Sequence, residues 1–305
     1  MSSLLQVSHL SKSFGKQVSV NNISFDIHQG RCTALLGPNG AGKTTTLRML
    51  AGLLQPTSGS IAFEGMKPGA DYRRTLGYLP QAPSFYGWMT GGEYVSFAAR
   101  LSGLNAKEAS SLGAAALEKA GLKDAARRRI AGYSGGMKQR LGLAQALVHR
   151  PRLLLLDEPV SALDPIGRRE VMEMLHEIRQ ETTVIFSTHV LHDAEEICDD
   201  IILLNEGTIA EQGTLDELRL KYRIPVIRLR VEKRKDALDW LNSLSSRAFV
   251  LEGRVFGEDA FLNVNDLEEA RRFIMKEAAD LSIPLLNFEA GSSTLEDLFM
   301  KVVGA

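Results

Sequence analysis

Long apolar runs are missing from this chain: none approaches the roughly 18 residues that a membrane-spanning helix requires. The opening residues, Met1-Ser2-Ser3-Leu4-Leu5-Gln6, lack the basic start and apolar stretch of a secretory signal. Cysteine is scarce. Cys32 and Cys198 form no metal-ligand pattern and no disulfide framework. Neither sign of charge dominates: 36 Lys and Arg face 37 Asp and Glu, a net charge of −1, so nothing pulls the whole chain toward nucleic acid. A reduced, cytosolic protein is expected, one that works at a membrane only from outside the bilayer. At 305 residues, 44% of them hydrophobic and 24% charged, the chain has ordinary globular composition and room for one large domain and one small one.

What the chain does have is a split set of phosphate-handling motifs. Gly37-Pro38-Asn39-Gly40-Ala41-Gly42-Lys43-Thr44 fits G-x-x-x-x-G-K-[ST]. It follows the apolar run Cys32 to Leu36 and opens an expected helix from Lys43 to Leu53. Small residues let successive backbone N–H groups face phosphate, and the helix N-terminus adds a partial positive charge. Lys43 is expected to reach the β- and γ-phosphates, Thr44 to hold Mg²⁺, and Thr45 to add a hydrogen bond. Further on, Leu153 to Leu156 runs into Asp157-Glu158-Pro159. Asp157 offers Mg²⁺ a hard oxygen ligand, and Glu158 is placed to polarise an attacking water.

Three weaker signals accompany these. Ser134-Gly135-Gly136 precedes a helical stretch, Lys138 to His149, so that Ser134 is a helix N-cap, a contact to a γ-phosphate, or both. Gln81 follows Leu76-Gly77-Tyr78-Leu79-Pro80 and is a candidate contact to Mg²⁺ and the attacking water. His189, in Ser187-Thr188-His189, is a candidate γ-phosphate contact. Singly, each has a plainer reading: a chance glycine turn, a surface acid pair, a cap, a solvent-facing glutamine, a structural histidine.

Strands expected at Leu4 to Val7, Val18 to Ile27, Cys32 to Leu36, Leu153 to Leu156, Val184 to Phe186 and Ile201 to Leu204 alternate with helices, which argues for an α/β core. Residues 91–149 read as mostly helical, and a helix is expected from Pro165 to Gln180. A domain boundary is placed near residue 220. The tail reads strand (Val226 to Val231), helix (Asp236 to Leu244), strands (Phe249 to Val255 and Ala260 to Val264), helix (Leu267 to Asp280) and strand (Leu285 to Phe288), a β-α-β-β-α-β order. A last helix is expected over Leu295 to Val302.

Taken together and in this order, the motifs resemble those of the nucleotide-binding subunits of ABC transporters, over residues 4–218. The resemblance implies a P-loop NTPase core (residues 1–220) with a helical subdomain near 85–150, while the tail's own pattern gives a small α+β domain over 221–305. It assigns Gly37 to Thr44 to Walker A, Gln81 to the Q-loop, Tyr133 to Met137 to the signature, Leu153 to Glu158 to Walker B, Ser161-Ala162-Leu163-Asp164 to the D-loop and His189 to the switch histidine. It offers Phe14 as the aromatic stacked on adenine. It implies ATP and Mg²⁺, and a head-to-tail dimer of identical or paralogous copies. In that dimer each ATP lies between one copy's Walker A and the other's Ser134, Gly135 and Gly136. It also implies a separate transmembrane permease that keeps the subunit at the cytoplasmic face of the membrane, with no nucleic acid. The usual Leu-Ser-Gly-Gly-Gln stands here as Tyr133-Ser134-Gly135-Gly136-Met137, which leaves the phosphate-facing residues intact and removes one polar side chain. Thr294 to Phe299 resembles the tail of exporter ATPases. A soluble ABC-type ATPase acting on ribosomes or DNA is the alternative, and a nucleotide-gated binding module without turnover a third.

Two segments are left open. Phe85-Tyr86-Gly87-Trp88-Met89 either receives a permease helix or packs within the helical subdomain. The basic stretch 219–235, with Arg219, Lys221, Arg223, Arg228, Arg230, Lys233, Arg234 and Lys235 against Glu232 alone, is read first as a solvated linker and sheet edge, and second as a lipid contact.

Overall fold

The computed structural model describes residues 2–66, 70–161, 163–222, 225–292 and 299. The chain divides into two compact units, Met1–Leu215 and Asp216–Ala305. In the first, β1 (Ser3–Phe14) and β2 (Gln17–His28) form an antiparallel pair, and β3 (Cys32–Leu36) leads through the glycine loop into α1 (Lys43–Leu50). β4 (Ser58–Phe63) returns to the free side of β1, completing a three-stranded sheet. β5 (Leu76–Leu79) is followed by three helices, α2 (Gly91–Leu101), α3 (Ala106–Lys119) and α4 (Gly135–Leu147). Then come β6 (Leu153–Asp157), α5 (Pro165–Ile178), β7 (Thr183–Thr188), α6 (Leu191–Ile197), β8 (Asp200–Asn205) and β9 (Thr208–Thr214). The second sheet runs β5-β6-β7-β3-β8-β9, parallel except for β9. The expected α/β fold is thus observed.

Local chemistry sets the ends of these elements. Every residue of β3, β6 and β7 is buried, as parallel strands covered on both faces must be. α1 stops at Leu50 rather than Leu53, because Gly52 takes the left-handed conformation (φ +68°) that closes a helix. α2 and α3 each open on a reciprocal cap, Thr90 with Glu93 and Asn105 with Glu108. α4 starts three residues before the expected Lys138, since Ser134 accepts the Met137 N–H at 3.2 Å and takes both glycines into the first turn.

The connecting helix α7 (Leu215–Lys221) precedes β10 (Pro225–Val231), α8 (Lys235–Leu244), β11 (Val250–Phe256), β12 (Asp259–Val264), α9 (Leu267–Asp280) and β13 (Leu285–Ser292). This is the β-α-β-β-α-β order expected. The sheet is antiparallel, in the order β11-β12-β10-β13, over a core of Ile227, Leu229, Val231, Trp240, Leu241 and Ile274. The edge expected within 219–235 is corrected: β10 is an interior strand, because its alternate apolar residues face that core. Arg228 and Arg230 point away from it, to Glu289 at 3.2 Å and Asp259 at 2.7 Å, so neighbouring strands balance their charge. The helix expected over Leu295 to Val302 and the segment Thr294 to Phe299 lie, Phe299 apart, outside the described residues.

Candidate active site

Four neighbouring strands aim their carboxyl ends at one place, the position where open α/β sheets bind ligands. β3 ends in the glycine loop, β5 leads to Gln81, β6 ends in Asp157 and continues to Glu158, and β7 leads to His189. The loop is tightly seated. A Cβ at Gly37 would lie 2.3 Å from the Leu204 carbonyl oxygen, and one at Gly42, where φ is +99°, 2.6 Å from that of Ser19. Only glycine fits at either position. Beyond Gly42 the first N–H groups of α1 have no intrahelical acceptor and are free to face an anion.

Lys43 is buried, with Nζ donating to the carbonyl oxygens of Gly37 (2.8 Å) and Pro38 (3.0 Å) and lying 3.7 Å from Glu158 Oε1. Burial pushes its pKa below the usual lysine value, while the carboxylates of Glu158 and Asp157 pull it back up. Glu158 is itself buried and ringed by donors. His189 Nδ1 is 3.2 Å from Oε1, and Gln81 Nε2 donates to Oε2 at 3.2 Å. An ionised carboxylate only accepts, so the His189 proton sits on Nδ1 in this pair. The Glu158 backbone takes a left-handed φ of +47°, a strained setting for a side chain of this size.

Asp157 is fully buried. Its Oδ1 accepts from Thr44 Oγ1 (2.9 Å) and Ser187 Oγ (2.8 Å), whereas Oδ2 has no hydrogen-bond partner. A bare buried carboxylate oxygen is costly unless a cation takes it. Beside it stands the Thr44 hydroxyl, a second hard oxygen. This donor set fits Mg²⁺, which binds through one or two carboxylates and completes its shell with water and substrate phosphate. Among the described residues no group of three or more His, Cys, Asp or Glu is placed to hold a metal.

The structure therefore brings Lys43, Thr44, Gln81, Asp157, Glu158 and His189 together. Outside the glycine loop, the other predicted residues make no side-chain hydrogen bond to these six. Thr45 pairs its hydroxyl with Ser19 Oγ at 2.9 Å. Phe14 is 51% exposed, with Lys12 Nζ 5.2 Å from its ring centroid. Ser134 and Gly135 are exposed and Gly136 partly so, and a Cβ at either glycine would meet nothing within 4 Å. Two contacts escaped the sequence reading. Ser187 bridges the acid pair, accepting the Glu158 N–H at 2.9 Å. Gln139, buried on α4, donates Nε2 to the Pro159 carbonyl at 2.8 Å and ties the helix capped by Ser134 to the residue after Glu158. Asp157 and Ser187 are facing partners in the β6–β7 ladder, a register that sequence spacing does not reveal.

A glycine loop at a helix start, a carboxylate with one oxygen bare and a buried acid beside a lysine define a P-loop nucleoside triphosphatase. A family model described as "ABC transporter" matches residues 20–161. The chain is 46% identical over 302 residues to the "Uncharacterized ABC transporter ATP-binding protein YxlF" of Bacillus subtilis (strain 168), covering 99% of this chain and 100% of that one. It is 32% identical over 309 residues to the "Bacitracin transport ATP-binding protein BcrA" of Bacillus licheniformis, covering 100% and 98%. Among solved structures, "Dimeric Structure of MJ0796, a Bacterial ABC Transporter Cassette" superimposes with a TM-score of 0.63 at 25% identity, over 69% of this chain and 98% of that one. The chain belongs to the ATP-binding proteins of ABC transporters. It is an ATPase, the motor subunit of such a transporter, and the ribosome- or DNA-directed alternative is not favoured. No helix among the described residues is long and apolar enough to cross a membrane.

Proposed function

We propose that this chain hydrolyses ATP as a Mg²⁺-dependent motor of an exporter, with the site residues in the following roles. Gly37 to Gly42, the α1 N-terminus, Lys43 and Thr45 bind the phosphates, and Phe14 stacks on adenine. Thr44, Asp157 and Gln81 hold Mg²⁺, which when bound neutralises phosphate charge. Glu158 accepts a proton from the attacking water, while His189 and Gln81 orient that carboxylate. The observation that carries this reading is the convergence of Lys43, Gln81 and His189 on Glu158, next to the unpartnered Asp157 oxygen. Purified protein should release phosphate from ATP only with a divalent cation. Chelation by EDTA should remove essentially all turnover; a rate untouched by EDTA would refute the metal assignment.

Ser134 and Gly135 are exposed, Gly136 is partly so, and none enters the loop's own contacts, which supports their acting on the nucleotide of a second copy. A dimeric relative among the solved structures supports the same reading. Membership of the family supports a separate permease, with the chain held at the cytoplasmic membrane face. Export of antibiotic-like compounds is supported by relatives named for bacitracin transport, linearmycin resistance and lantibiotic transport. Tyr86 and Trp88 are 54% and 70% exposed, while Phe85 packs edge-on against Tyr94 at 5.1 Å. The exposed pair is assigned to the permease contact and Phe85 to the subdomain core. Trp88→Ala should then deplete the protein from the membrane fraction of permease-containing cells without lowering its melting temperature; a lowered melting temperature with normal recruitment would place Trp88 in the core instead.

A further inference from the structure

We infer that Ser187 is a positioning residue for the acid pair: a single hydroxyl fixes both the Asp157 carboxylate and the Glu158 backbone. A serine hydroxyl has one proton to give and two lone pairs to offer. The Glu158 N–H is a donor only, so the 2.9 Å contact fills a lone pair of Ser187 Oγ. The proton of Ser187 therefore goes to Asp157 Oδ1, at 2.8 Å. Ser187, like Asp157, has no exposed surface.

Both ends of this bridge matter. On the Asp157 side, two donors occupy Oδ1, and the second, Thr44, is the residue assigned to Mg²⁺. If Thr44 gave its oxygen to the cation, Ser187 would still hold Oδ1, and the same carboxylate edge would keep presenting Oδ2. On the Glu158 side, the bridge satisfies the one N–H at a residue forced to φ +47°. Left unpaired in the interior, that N–H would favour another backbone conformation. The carboxylate would then leave the reach of Lys43, Gln81 and His189. Ser187 stands two residues before His189, in a strand flanked by β6 and β3. The same strand thus sets the backbone of Glu158 and supplies the histidine that meets its side chain. Outer-sphere partners of this kind change metal affinity or activity by roughly 10–100-fold when removed.

Ser187 in this role presupposes that Asp157 and Glu158 carry the chemistry proposed above, so wild type, Glu158→Gln and Ser187→Ala are compared. Ser187→Ala should keep its KM for ATP within about twofold and lower kcat about tenfold or more. A readout without turnover accompanies this: the Mg²⁺ concentration giving half of the maximal stabilisation by ADP in thermal melts should rise about tenfold. If the alanine variant does not fold, Ser187→Cys, of similar volume and weaker hydrogen bonding, is measured instead, with the same directions expected. An unmoved Mg²⁺ half-saturation overturns the role of Ser187, with or without a loss of kcat, since lost packing alone does not select the metal. A Glu158→Gln protein that turns over like wild type would sink the functional reading itself.

Discussion

Replacing Glu158 by glutamine should cut steady-state phosphate release by about 10²–10⁴-fold, the range expected for removing a positioned base. The substitution keeps the size and shape of the side chain, so contacts from Gln81 and His189 have an oxygen or nitrogen to meet. What it removes is the ability to take a proton and the charge facing Lys43 at 3.7 Å. ATP binding should survive, because the backbone N–H groups of the glycine loop and the α1 N-terminus do not depend on the Glu158 side chain. Binding without turnover should then trap the two-copy state, read as a shift toward dimer by size exclusion when ATP is added. A Glu158→Gln protein that releases phosphate within a few-fold of wild type would remove glutamate from the mechanism.

Two dead proteins should revive each other on mixing. On the proposed two-copy site, Lys43→Ala should abolish phosphate binding in its own loop, and Ser134→Ala should remove the contact its copy makes to the partner's nucleotide. Each is expected to be inactive alone. A mixed dimer pairs the sound loop of one chain with the sound Ser134 of the other and so contains one working pocket. Phosphate release should reappear in the mixture and rise with the fraction of mixed dimers. Ser134 is exposed, so its replacement empties no core and costs the fold only the cap of α4. No recovery, with both variants melting normally, would show that the pocket is complete within one chain.

The buried strands and the glycine loop were legible in the sequence because their chemistry is local. Leu153 to Leu156 is an unbroken apolar run and Cys32 to Leu36 is one but for Thr33, and each leads into the residues that handle phosphate or metal. The element order of the second unit was legible for the same reason: its strands alternate and its helices keep a 3.6 period. Other elements stayed hidden. The full length of β1 did so because register shifts around His9, at φ +52°, break the alternation. β4 and β9 are polar and half-exposed, so they carry little hydrophobic signal. β5 has four residues, one of them Gly77, whose missing Cβ would sit 2.2 Å from the Ala146 carbonyl oxygen. Within the site, Ser187 and Gln139 act through a strand register and a helix–loop contact. No spacing along the chain encodes either one.

The left-handed backbone at Glu158 has a consequence for how the protein tolerates change. Glycine or asparagine would rest there with less discomfort, so position 158 is a place where folding and working pull in opposite directions. Selection for heat resistance alone would be drawn to this residue, and the sturdier protein it produced would be idle.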